Sequence, residues 1–144
     1  MQIKRQQIEK RIFVAEDGIE FPTAVECRRH EATQTYLKCK VDTISYMGEP
    51  KYIVKCQNEN ELRDVLEFFD YTYSTDGFSS NFDEECVRRL VPGYIVLEFS
   101  EDEVMEHCLI YPIDELIFEI DEKIKALSNL KTKMLERSNE VVLC

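Results

Sequence analysis

Ile113, Ile117, Ile120, Ile124 and Leu127 recur at steps of four and three, and Met134 resumes the row after Lys131 interrupts it. A strand alternates with period two, so this spacing belongs to a helix that packs along its length. Pro112 opens the element where a missing N–H costs nothing. Asp114 and Glu115 at one end, with Lys131, Lys133 and Arg137 at the other, match the helix dipole. The pattern predicts a helix over residues 112–138. With only short helices elsewhere, its seam is expected to cover a sheet of its own domain, the Lys-rich end projecting. A homodimer through this helix is the alternative.

Upstream, pairs of β-prone runs alternate with helical signals. Arg11–Ala15 is followed by Asp17-Gly18, a dipeptide that closes a two-residue hairpin, and Ile19–Phe21 returns. Pro22 ends that strand. Thr23 and Glu26 form a capping box for a helix from Ala24 to about Thr33. From Tyr36 to Ser45, Leu37, Cys39 and Val41 alternate with Lys38, Lys40 and Asp42, which predicts a half-buried strand. After a Gly48-Glu49-Pro50 turn, Lys51–Cys56 is the next strand. Asn58 and Glu61 cap a second helix carrying Leu62, Val65, Leu66 and Phe69, ending near Tyr71.

Thr72–Phe82 reads as a loop and Asp83–Leu90 as a short helix stopped by Pro92-Gly93. Tyr94–Phe99 and Val104–Tyr111 are strands around an acidic turn, Glu101-Asp102-Glu103. The order is β-β-α, β-β-α, a short α, then β-β-α. The expected fold is α+β: one domain over residues 1–144, an antiparallel sheet built from successive β-β-α units, helices gathered on one face, and a long C-terminal helix.

Charge is the strongest global feature. The chain has 29 acidic and 18 basic residues, a net of −11. Residues 81–122 hold thirteen acids and two bases, so the whole deficit sits there, while residues 1–14 and 123–144 are each net +3. This sign excludes direct binding to a nucleic-acid backbone and favours a basic protein partner. No stretch is apolar enough to span a membrane, and the basic N-terminus lacks the apolar core of a secretory signal, which points to the cytoplasm. The six cysteines are then expected as reduced, mostly buried thiols.

The chemistry-bearing patterns are sparse. Cys27 and His30 share a helix face and could reach one zinc, but paired ligand spacing at both ends is missing. No cysteine stands in a recognisable nucleophile context, and serine elbows and phosphate-binding glycine loops are absent. Glu101, Asp102, Glu103 and Glu106 could hold a divalent ion, yet read more simply as a charged hairpin tip. The expectation is no enzyme, no metal and no cofactor. Tyr73 and Phe78 stand among acids on a loop, where aromatic groups anchor protein interfaces.

Ile12-Phe13-Val14, Asp17-Gly18, Phe21, Thr23, Cys27 and His30-Glu31 together resemble the opening of small acidic bacteriophage accessory proteins, over residues 11–31. The resemblance carries over no catalytic residue. It implies a phage-type protein in the host cytoplasm that blocks a host nucleic-acid-handling defence protein, as anti-CRISPR and anti-restriction proteins do. Carboxylates would occupy a groove built for phosphates, here Glu84, Glu85, Glu98, Glu101, Asp102, Glu103 and Glu106. Alternatives are a binder of a small nucleotide signal through Arg28-Arg29 or Arg88-Arg89, and an oligomeric virion or assembly component.

Overall fold

The computed structural model describes residues 11–46, 49–73, 82–100 and 107–142. The chain is α+β, as the sequence predicts. Strands β1 (Phe13–Val14) and β2 (Glu20–Phe21) form a small hairpin, followed by helix α1 (Ala24–Cys39). Next come β3 (Lys40–Tyr46), β4 (Glu49–Cys56), α2 (Glu59–Tyr73) and the short α3 (Glu84–Leu90). Strands β5 (Gly93–Ser100) and β6 (His107–Pro112) lead into α4 (Ile113–Val142). Strands β3 to β6 form one antiparallel meander, and the first hairpin stands apart from it.

The first turn differs from the expected two-residue loop. Ala15 N–H donates to Ile19 O and Gly18 N–H donates to Ala15 O, each at 2.9 Å, so the loop is Glu16-Asp17-Gly18. Gly18 has φ +87°, the left-handed residue that a three-residue hairpin loop requires.

Helix α1 runs six residues beyond its expected end. Thr23 caps it, its side chain accepting from Glu26 N–H at 3.2 Å. No glycine or proline follows Thr33 to stop it, and Ala32, Tyr36 and Cys39 recur at helical steps on its buried side. The alternation of Leu37, Cys39 and Val41 is therefore not that of a strand face; Leu37 and Val41 are exposed. Pairing starts only at Lys40, with a bulge before Asp42.

Helix α2 follows its apolar period: Leu62, Val65, Leu66 and Phe69 are all fully buried. At its start Asn58 accepts from Glu61 N–H at 2.9 Å, and Glu61 reaches back to Gln57 N–H at 3.2 Å. These residues meet Tyr36, Cys39, Val54, Cys56, Ile95, Leu97 and Val87 in the main core. Burial of this kind stabilises by about 1.5–3 kcal/mol per large apolar side chain.

The helices do not gather on one face. Strands β4 and β5 are apolar on both sides, so both faces need cover. Tyr52, Val54, Ile95 and Leu97 turn toward α1, α2 and α3. Ile53 and Val96 turn the other way, onto Leu116 of α4, with Ile113 and Ile120 beside it. Beyond those first turns α4 leaves the sheet. Ile124, Leu127, Leu130, Met134 and Leu135 are all more than half exposed, so the long seam is not buried within the domain as expected.

Candidate functional site

Among the described residues, four arrangements of polar groups stand out. The first is a groove of about 740 Å³ between the hairpin, α1 and α2. Its best-tied cation is Arg28. Arg28 Nε donates to Glu67 at 2.7 Å and its guanidinium also pairs with Asp64. Glu67 first, then Asp64, hold that guanidinium firmly protonated against the effect of burial. Thr35 Oγ1 donates to Asp64 at 2.9 Å. This groove fastens α1 to α2.

Cys27 and His30 do not share a ligand. The Cys27 thiol donates to Glu31 at 3.5 Å, and His30 Nε2 meets Asp17 at 2.5 Å while its ring packs on Phe21. Burial and the Glu31 carboxylate push the Cys27 thiol up, away from thiolate. Among the described residues, no group of three or more His, Cys, Asp and Glu side chains is placed to hold a metal ion.

The second arrangement, a thiol pair, lies deeper, where α1 ends against β4. Cys39 and Cys56 are buried together, and Cys39 donates to Glu61 at 3.2 Å. The Cys56 thiol, burial and Glu61 together drive Cys39 far above the ordinary thiol range. Such a thiol is inert as a nucleophile.

The third arrangement occupies the α4 side of the sheet. Lys51 and Glu98 are direct cross-strand partners, both nearly fully buried, and their charges pair. Tyr111 donates its hydroxyl to Glu98 at 2.5 Å. Glu98 was expected on an acidic surface; its carboxylate is instead inside, because β5 is covered on both faces. Tyr73 is corrected in the same way. Its ring packs on Phe99 at 4.8 Å and Phe69 at 5.5 Å, so it extends the core rather than a presented loop. Phe78, Glu101, Asp102, Glu103 and Glu106 lie outside the described residues.

The fourth arrangement is the exposed one. Asp83 caps α3, accepting from Cys86 N–H at 2.8 Å, and thereby fixes Glu84 and Glu85 in its first turn. Each pairs along the helix, with Arg88 at 3.4 Å and Arg89 at 2.5 Å. These pairs are open to water and worth little. Across the end of β6, the first turn of α4 supplies Asp114 and Glu115. Asp83, Glu85 and Glu115 line one groove of about 560 Å³ with Arg89, against Ile110 and Tyr111. Along α4, Glu119, Asp121 and Glu122 are also exposed, with no basic residue before Lys123.

The four arginines that the sequence offers for a phosphate are engaged: Arg28 as above, Arg29 over the Tyr71 ring at 5.0 Å, Arg88 also with Glu59 at 3.2 Å, and Arg89 with Glu85. No described helix is long and apolar enough to cross a membrane. No family model, curated protein or solved structure matches the chain.

Proposed function

We propose that the protein acts without catalysis, as a binding protein whose acidic face engages a basic, nucleic-acid-handling partner protein. One observation carries this reading. Carboxylates from two elements thirty residues apart, Asp83 and Glu85 of α3 and its cap and Glu115 of α4, open into a single groove. The α3 carboxylates are held by a capped helix and Glu115 by a helix seated on the sheet, so their spacing is fixed before a partner arrives. Three carboxylates against one guanidinium, Arg89, which pairs with Glu85, leave the groove net negative, and such a field steers a basic partner and selects its register. A groove that binds phosphates would meet carboxylates instead, and in the phage-type setting that competition would disable a host defence protein.

The test uses the tagged full chain as bait in host lysate at low and high salt, beside a Glu85→Lys/Glu115→Lys bait. A basic nucleic-acid-binding protein held by the native chain, released by salt and absent from the variant supports the proposal. The same proteins on both baits overturn it.

A further inference from the structure

Helix α4 is amphipathic along its whole length but is covered only at its root. Ile113, Leu116 and Ile120 sit on the sheet. The same stripe continues through Ile124, Leu127, Leu130 and Met134, all more than half exposed. Every residue from Asp121 to Asn139 is exposed, a span of about 28 Å at helical rise. A helix in water draws most of its stability from packing an apolar face, so a stripe this long calls for an occupant.

The charge beside the stripe identifies that occupant. Glu119, Glu122, Ala126, Leu130, Lys133 and Arg137 follow one another at steps of three and four, so they form one row along a flank. The row is acidic at the root, uncharged in the middle and basic toward the tip. Rotating a second copy about a two-fold axis near residue 128 reverses the row against itself. Glu119 then faces Arg137 of the second copy and Ala126 faces Leu130, with Glu122 and Lys133 on the outer edge of the same flank. A parallel pair would instead set Lys131 beside Lys131 in the seam and turn this flank against the opposite one. We infer that α4 is a self-association helix, in which two copies of this chain pair antiparallel through the Ile124–Met134 stripe with the Glu119/Glu122 and Lys133/Arg137 flanks in contact. A two-fold interface of this kind is isologous: each copy uses the same patch. The inference uses a different part of α4 from the acidic groove and stands apart from that reading.

The experiment measures solution mass of the full chain by sedimentation, up to high micromolar concentration, with circular dichroism confirming the fold of each variant. The native chain is expected at twice 17.0 kDa. Glu119→Lys/Glu122→Lys and Lys133→Glu/Arg137→Glu should each weaken pairing by at least about tenfold. Mixed together, these two variants carry wholly opposite rows and should restore the dimer mass as a heterodimer. A monomeric native chain overturns the inference and directs attention to a different occupant of the stripe. A dimer untouched by either reversal, or a mixture that stays monomeric, also overturns it. Glu85→Lys/Glu115→Lys should leave the mass unchanged, which separates this test from that of the acidic groove.

Discussion

Lys51 and Glu98 face each other directly across β4 and β5, and both are almost wholly shielded from water. Two charges of opposite sign taken out of solvent are tolerated only together, because either one alone keeps its desolvation cost. Lys51→Met or Glu98→Leu alone should therefore cost about 3–5 kcal/mol in denaturant unfolding. The double variant should recover most of that loss, since an apolar pair suits a face already carrying Ile53 and Val96. A double-mutant cycle with no coupling would contradict this account of the pair.

Tyr111 gives the same region a spectroscopic handle. Burial, followed by the charges of Glu119 and Glu115, pushes its phenol up to about 12. The unfolded phenol titrates near 10, so folding favours the neutral form. Its contribution to stability is complete below about pH 10 and is lost as pH rises through about 12. Burial also raises the Tyr36 phenol, so among the seven tyrosines the late ultraviolet absorbance change should shrink, not disappear, in Tyr111→Phe. A late change of undiminished amplitude would contradict the shift at Tyr111.

Cysteine reactivity should follow environment. Cys39 and Cys56 are buried and Cys39 is held as the thiol, while Cys86 and Cys108 are only half-buried. Alkylation of the folded protein, mapped by peptide mass, should label Cys86 and Cys108 first and reach Cys39 and Cys56 only on unfolding. Early labelling of Cys39 would contradict its protonated, enclosed state.

Gly18 closes the first hairpin at φ +87°, where an added Cβ would meet nothing within 4 Å. The cost of Gly18→Ala is therefore backbone strain alone, about 1–2 kcal/mol, and Gly18→Asn should lose less. The adjacent Asp17 carboxylate is held below its usual range by the hydrogen bond from His30, then by Ile19 N–H. Its folded pKa is depressed, so its stabilising effect is present above the unfolded carboxylate pKa and lost as pH falls through the folded one. Asp17→Asn should flatten that acid limb in thermal melts.

These tests touch elements that differ in how far sequence foretold them. Helix α2, its Asn58 cap and the order of strands were legible because period and caps are local signals. The end of α1 was not: with no breaker, Leu37, Cys39 and Val41 alternate by coincidence, and tertiary contact at Tyr36 and Cys39 decides for helix. Glu98 looked like a surface acid because its partner, Lys51, lies 47 residues away and only strand register joins them. Tyr73 read as a loop residue because α2 continues two residues past its expected end, onto Phe99. The groove joining Glu85 to Glu115 needed the path of β6, which composition alone does not give. For α4 the seam itself was plain, but its spacing could not say how little of it the sheet would cover.

The acidic groove is the centre of the account, and an arginine-rich fluorescent peptide tests it most directly. Binding is followed by anisotropy for the native chain, for Glu85→Lys/Glu115→Lys, and for Glu16→Lys/Glu20→Lys, which makes the same charge change on the exposed hairpin. The account predicts a loss of about tenfold or more for the groove variant, a much smaller loss for the hairpin variant, and weakening of native binding with salt. Equal losses for the two variants, or none for either, would contradict it.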